Sequence, residues 1–363
     1  MVANETVKKK KGFRRLSILL CIMLCFSLLL TGCTDEQVEE GVGIVVDILL
    51  DALAPEDSET QGGDSTENSA PVAVEGTMEV HFIDVGQADA TLILQGEQAM
   101  LFDTATKGRG DELVEYITNL GIDYIDVVIL SHPHDDHMGG TAKLLNSNIK
   151  VGKIYGPDIF ELMDTQDAPG WYNDMIDAVD RLDADANKGV PEDKQTSLWH
   201  FPRNSKGEFA KFNIGEAIVE FYAPLEDEYS DKNDYSICAK VSFGTIDIMF
   251  TGDATSSVEK TLIEKGYNLD VEVFQAGHHG SDTSNSKEFM EAMSPETVVI
   301  SCGIKNKYDH PIKSVMNLFK KMNLTVYRTD ESGNIVMTTD GTTYSFNVDP
   351  GTYTSGEEYK KGN

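Results

Sequence analysis

Three hundred and sixty-three residues with 40% apolar side chains leave room for one large core, and 30 Lys and Arg against 61 Asp and Glu set a formal net charge of −31. Six of the basic residues and one acidic residue lie in the first 33 positions, so the remainder carries 24 against 60, a net of −36. A surface this acidic repels polyanions at long range, which excludes a generic nucleic-acid-binding protein; no stable nucleic-acid complex is expected.

The first segment reads as a secretory signal. Lys8, Lys9, Lys10, Lys11, Arg14 and Arg15 are followed by an apolar run over 16–30, broken by Ser17 and Ser27, and then by Leu30-Thr31-Gly32-Cys33. A basic start, an apolar centre and small residues before a cleavage point describe a signal peptide. The run is about 15 residues, short of the roughly 20 that span a bilayer. The L-T-G-C tetrad resembles a bacterial lipobox, which implies lipid on Cys33 and attachment to the extracytoplasmic face of a bacterial membrane. An uncleaved signal anchor is the alternative. After residues 1–33, the stretch 34–77 is read as a disordered tether. Its part over 54–76 is rich in Pro, Glu, Asp, Ser, Thr and Gly and holds too little apolar surface to offset ordering entropy.

From Met78 the pattern changes to that of a folded domain, expected over 78–348 with a tail over 349–363. Strands are predicted over 79–85, 90–95, 99–103, 126–130, 153–155, 217–222, 237–243, 247–250, 271–275, 297–301, 324–327, 334–338 and 343–346. Helices are predicted over 111–120, capped by Gly121, and over 172–182, 257–265, 286–293 and 313–322. Strands in runs with helices interspersed point to an α/β protein of two mixed sheets packed face to face and flanked by helices. The least patterned stretch, 157–207, is read as an insertion over the active-site side. Cys238 and Cys302 sit in apolar runs and read as reduced core residues.

The chemistry concentrates after the predicted strand 126–130, where residues 131–140 read S-H-P-H-D-D-H-M-G-G. Three of the chain's eight histidines and two carboxylates fall in six positions. Neutral imidazole and carboxylate are good ligands for borderline divalent cations such as zinc. His132 and His134 alternate and share one direction, while a turn sends Asp136 and His137 elsewhere, a layout that can feed two metals. A polar surface loop without metal is the plainer alternative. Further polar residues fall at strand ends: Asp84, Asp103, Asp253, His278 with His279, and His310. Carboxylates and imidazoles at successive strand ends converge on one sheet edge, where sites form in layered α/β folds.

In this order, F-I-D-V-G-Q at 82–87, the 132–137 motif, T-G-D at 251–253 and H-H-G at 278–280 resemble the metallo-β-lactamase superfamily. Within it the chain is similar to the hydrolase domain of ComEC-type competence proteins, through D-V-G-Q-A-D-A at 84–90, the spacing of Asn233 and Ser236, G-H-H-G-S at 277–281 and N-K-Y-D-H-P at 306–311. His134 stands where those proteins often carry Asp, and Ala88 where they carry Gly. The competence protein's membrane channel has no counterpart, so a DNA-uptake role is not implied. The H-P-H-D-D-H form also looks like secreted phosphorylcholine esterases of bacterial cell walls.

The resemblance implies an αββα sandwich and a dinuclear hydrolase with two divalent ions, zinc first and manganese second, that lower the pKa of water to about 7. His132 and His134 would hold one ion with one of His278 and His279. Asp136 and His137 would hold the other, with His310 a further candidate, and Asp253 would bridge. Asp136 and His279 are the residues placed in the reaction itself. His278 is preferred as the ligand and His279 as proton donor, though the pair stays open. Asp84 and Asp103 are expected to hydrogen-bond ligand imidazoles. Asn233, Ser236, Ser281, Lys305 and Lys307 are candidates for substrate contact. The two lysines belong to a locally basic stretch, 303–328, suited to a phosphate-containing substrate. A phosphodiesterase or nuclease-like activity is the first expectation. A phosphorylcholine esterase or a lactamase or lactonase comes second, and a non-catalytic surface module last. Against a lactamase, His200 alone separates His137 from Asp253 as a candidate ligand.

Overall fold

The computed structural model describes residues 74–163, 168–191 and 194–361; the signal, the Cys33 lipobox and nearly all of the 34–77 tether lie outside them. The chain runs β1 (Met78–Phe82), β2 (Thr91–Gln95), β3 (Gln98–Phe102), α1 (Gly110–Asn119) and β4 (Tyr124–Ile129). It continues through α2 (Asp135–Met138), α3 (Thr141–Leu145), β5 (Lys150–Tyr155), α4 (Phe160–Met163), α5 (Gly170–Ala186) and β6 (Trp199–His200). Then come β7 (Lys211–Ile214), β8 (Ala217–Phe221), β9 (Ala239–Phe243), β10 (Ile246–Phe250), α6 (Ser256–Glu264), β11 (Val273–Gln275) and α7 (Lys287–Met293). The last elements are β12 (Thr297–Ile300), α8 (Lys313–Lys321), β13 (Thr325–Arg328), α9 (Thr329–Ser332), β14 (Ile335–Thr339), β15 (Tyr344–Phe346) and α10 (Gly356–Lys361).

Two mixed sheets result, with strand orders β15-β14-β1-β2-β3-β4-β5-β6 and β13-β12-β11-β10-β9-β8-β7. Each is antiparallel in one part and parallel in the other: β3 to β6 run parallel in the first sheet, β10 to β13 in the second. The alternation of side chains decides the layering. At the end of β4, Val127 and Ile129 join Phe82, Phe102 and Phe250 between the sheets, while Val128 and Leu130 face the outer layer with residues of α1 and α5. A strand buried on both faces reads as a continuous apolar run, which is why this one was predictable. Outside the second sheet, Val258, Phe289 and Phe319 of α6, α7 and α8 form the third apolar layer. The fold is the expected αββα sandwich.

Two readings of the chain's organisation change. The stretch 157–207 belongs to the scaffold: α5 buries Tyr172, Met175, Ala178 and Val179 against the outer face of the first sheet, and β6 extends that sheet. Its i, i+3, i+6, i+7 spacing is a helical stripe whose place in the fold is set by tertiary packing. Residues 349–361 are docked and are not a free tail. The fully buried Arg328 makes paired bonds to Asp330 (2.9 and 2.7 Å) and reaches the carbonyls of Thr352 and Thr354. Glu331 accepts from the Thr352 amide and the Tyr359 hydroxyl. Further along, the Gly356 amide donates to Pro311 and Lys360 pairs with Asp309 at 2.6 Å, which ties this segment to the loop before α8.

Candidate metal centre

β1, β3, β4, β10, β11 and β12 all release their chains at one edge, the carboxyl ends of the parallel strands, and each loop there brings polar groups. After β4, the Ser131 amide and hydroxyl donate to the two oxygens of the buried Asp103, both at 2.7 Å. His132 and His134 follow on a tight bend, in which the His134 amide donates to the His132 carbonyl at 2.9 Å. His134 then starts α2, so Asp136 and His137 occupy the first turn of a short helix. The turn expected between the two ligand pairs is this helix.

From the second sheet, Asp253 follows Gly252, whose φ of +50° lies in the left-handed region. A Cβ on Gly252 would sit 2.8 Å from the Ser131 Cβ, so the close approach of the two loops requires glycine. The loop after β11 is more strained. His278 (φ 51°, ψ 46°) and His279 (φ 55°, ψ 26°) are consecutive left-handed residues, a conformation costing about 1–2 kcal/mol each. Asn285 holds them there: its side chain accepts from the Gly277 amide and donates to the carbonyls of Gly277 and Ser281. The buried Glu259 in turn accepts from the amides of Asn285 and Ser286.

Among the described residues the imidazoles and carboxylates meet in three groups, one of which, Asp89 and Asp103 with His137, is fully buried. Ligand atoms of His132, His134 and Asp253 all lie within 4.8 Å of one another, and those of Asp136, His137 and His279 do the same. Asp253 stands between them. Its Oδ1 faces His137 Nε2 at 3.2 Å, and its Oδ2 faces His132 Nε2 at 3.5 Å and His278 Nε2 at 3.4 Å. His279 Nε2 lies 3.5 Å from Asp136 Oδ2. His137 Nε2, His279 Nε2 and Asp253 Oδ1 are buried and have no hydrogen-bond partner. Buried polar atoms are otherwise nearly always satisfied, so three converging orphans fit a divalent cation in their midst. The donor set of imidazole nitrogen and carboxylate oxygen suits zinc or manganese.

The electrostatics divide the same residues. Burial holds His132 well below the usual imidazole range and lowers His134 and His278 as well. Burial also lowers His310, to about 3, helped by the nearby His279 and His278. For His137 and His279 burial works against the charge, but Asp253 with Asp103, and Asp89 with Asp136, outweigh it and hold both well above the usual value. Asp253 is buried too, yet His137 and His132 keep it well below the ordinary carboxylate range, and His279 and His137 do the same for Asp136. Burial raises Asp103.

Several sequence expectations are redistributed. Asp103 touches a ligand imidazole, with its Oδ2 2.7 Å from His137 Nδ1. Asp84 does not: it is exposed and accepts from the Gly86 amide. The buried Asp89 takes the expected place, 3.3 Å from His279 Nδ1, because the chain turns over 84–89 and pairs again at Ala90. His279, expected as a proton donor, stands with Asp136 and His137, its Nδ1 bonded to the Ser301 carbonyl at 3.0 Å. His278 faces the other side, its Nδ1 against the Thr283 hydroxyl.

His310 joins none of these groups. It lines the cavity of about 310 Å³ above them together with Gln87, Asp135 and Tyr308. Ser236, a candidate for substrate contact, is fully buried and accepts the Asp253 amide at 3.1 Å. Ser281 is buried and pairs with Thr283, so it supports His278 from behind. Asn233 sits at the start of a 3-10 turn and leaves a buried side-chain oxygen unpaired. Lys305 and Lys307 are exposed on the loop beside the cavity, with Lys307 4.7 Å from the Tyr308 ring centre. His200 lies tilted against Tyr155, 5.8 Å between ring centres, and is absent from these groups. Cys238 and Cys302 are free and buried. Asp89, Asn285, Glu259 and Thr283 were not singled out from sequence as parts of the site.

The sequence model of the metallo-beta-lactamase superfamily matches residues 83–304. The chain belongs to that superfamily. This metallo-β-lactamase superfamily hydrolase is 29% identical over 255 residues to Competence protein ComA of Neisseria gonorrhoeae, covering 69% of this chain and 30% of the relative. It is 26% identical over 281 residues to ComE operon protein 3 of Bacillus subtilis (strain 168), covering 71% and 32%. The chain therefore spans about a third of the length of these curated relatives. Among solved structures, the metallo-beta-lactamase fold protein YhfI from Bacillus subtilis matches with a TM-score of 0.45 and 14% identity, covering 73% of this chain and 100% of that one. Among the described residues of this hydrolase, no helix is long and apolar enough to cross a membrane.

Proposed function

We propose that the protein is a two-metal phosphodiester hydrolase held at the outer face of a bacterial membrane by lipid on Cys33. The observation that carries the reading is the position of Asp253, with one carboxylate oxygen turned to each of two histidine-containing groups. His132, His134 and His278 would hold one ion and Asp136, His137 and His279 the other, with Asp253 placed to serve both. When bound, such a pair of ions supplies an activated water and neutralises charge on attacking and leaving oxygens. The chain's own part is geometric. Asp103 and the Ser301 carbonyl fix the rings of His137 and His279 so that each Nε2 points inward. Asn285 keeps the strained histidine pair in place, and Asp136 lies at the cavity floor.

A phosphate-containing substrate is favoured over a lactam by the cationic rim on an otherwise acidic surface. Lys305 and Lys307 stand exposed on the loop that brings Tyr308 and His310 to the cavity. The test is a screen of the metal-loaded protein against phosphodiester, phosphomonoester and lactam chromogens. Turnover of the phosphodiester at least about tenfold faster than the others is expected, since these rim contacts favour an anionic ester. Preference for the lactam would overturn the reading.

The anchoring half of the proposal has its own check. Cys33→Ala is expected to leave hydrolysis unchanged and to move the protein from the membrane fraction into the soluble one, because one acyl-bearing cysteine is the attachment that the sequence offers. Retention in the membrane at the precursor mass would mean an uncleaved anchor.

A further inference from the structure

We infer that His310 is a hydrogen-bond donor to the substrate and not a metal ligand, and that Gln87 fixes it in that role. The inference rests on the hydrolase reading above and assigns a residue within the same cavity.

The side-chain amide of Gln87 has two chemically different ends. Its Oε1 accepts the Gly303 backbone amide at 3.0 Å. Its Nε2 lies 3.3 Å from His310 Nδ1. An amide nitrogen only donates, so Nδ1 must be the accepting nitrogen of that ring. Turning the amide over would set its NH2 group against the Gly303 N–H, two donors face to face, and leave both unsatisfied. The orientation is therefore decided by a backbone group that cannot change its own polarity.

Gly303 makes this possible. A Cβ there would fall 2.7 Å from the Gln87 amide nitrogen, so only glycine lets the two backbones approach closely enough for the bond. Asn306 clamps the rest of the loop: its amide donates to the carbonyls of Gly303 and His310, and its oxygen accepts the His310 amide at 3.1 Å.

With Nδ1 accepting, the neutral ring carries its proton on Nε2. That nitrogen makes no hydrogen bond to the protein among the described residues, and the ring lines the cavity, 5.4 Å from the His278 ring and 6.2 Å from the His279 ring between centres. A protonated Nε2 has no lone pair to offer a cation. It can donate to an oxygen of a phosphoryl group seated over the two clusters, where charge builds in the transition state. Gln87 touches no substrate in this account. It is a positioning residue.

The experiment uses the full-length protein. The tautomer of His310 is read directly from two-bond nitrogen–proton correlations on labelled protein, with and without zinc, and Nε2–H is expected in both. His310→Ala is expected to keep the metal content and affinity of the wild type, while kcat for a phosphodiester falls roughly 10²-fold and KM changes little. Gln87→Leu is expected to shift the nitrogen signals toward a mixture of tautomers and to lower kcat at unchanged metal content. Loss of one ion from His310→Ala, or an Nδ1–H ring in the wild type, overturns the inference. A wild-type protein that takes up no metal overturns the hydrolase reading instead, and the nitrogen signals still decide the tautomer.

Discussion

Asp253→Ala should yield a folded protein that binds at most one divalent ion and has lost phosphodiesterase activity by more than ~10²-fold. The reasoning is local. One carboxylate faces His137 on one side and His132 and His278 on the other, so its removal strips an anionic donor from both groups at once. Asp253→Asn keeps the shape and separates loss of charge from collapse of the turn at Gly252. Elemental analysis after zinc loading and desalting is the measurement, with the wild type expected near two ions per chain. Two ions retained by the alanine variant would show that Asp253 is not shared. Uptake should also release protons, since carboxylates hold His137 and His279 above the usual imidazole range in the metal-free chain. Affinity then weakens as the pH falls, because the proton competes for the same nitrogens. Calorimetry in buffers of different ionisation heat reads the proton count.

The second large effect concerns stability and lies away from the cavity. Arg328→Met should cost roughly 3–5 kcal/mol, the usual consequence of removing one member of a buried ion pair. Arg328 is wholly buried, and its partner Asp330 is 3% exposed, so the substitution leaves a carboxylate without its cation. The carbonyls of Thr352 and Thr354 lose their donor as well. Urea denaturation of the soluble domain measures the change. A midpoint within error of the wild type would mean that the pair is replaced at no cost by the apolar side chain. Double replacement with Asp330→Leu should recover part of the loss, because one of the two carboxylates left without a cation is then gone, while Glu331, 3.4 Å from Arg328, remains.

Much of this architecture was written locally. Strands buried on both faces carry apolar runs, as in Val127–Leu130, and all thirteen strands predicted from the sequence have a counterpart in the two sheets. β6 and β7 were missed for opposite reasons. Trp199 and His200 form a two-residue edge strand too short to show a period, and Lys211–Ile214 alternates weakly between exposed and buried positions. The short helix α2 is held where the ligand loop folds over Thr104, whose hydroxyl and amide both donate to the His137 carbonyl, and its Asp-Asp-His-Met composition gave no helical signal.

The same distinction runs through the site. Ligands packed into six consecutive positions announce themselves. Asp89 was overlooked because Asp84 occupies the more conspicuous strand-end position, and only the turn between them determines which carboxylate is carried inside. Gln87 and His310 are 223 positions apart, and Asn285 acts on a loop several residues before it through its side-chain amide. No period or spacing encodes such pairs. They follow from which loops the two sheets bring to one edge, and that needs the three-dimensional arrangement.

The docking of residues 349–361 makes core and cavity separable. Both sheets are closed by residue 346. The loop bearing His310 leans on Gly356 and Lys360, which lie beyond them. One wall of the cavity is thus braced by a segment that contributes no strand, so loosening that segment would alter the cavity while the two sheets stay packed.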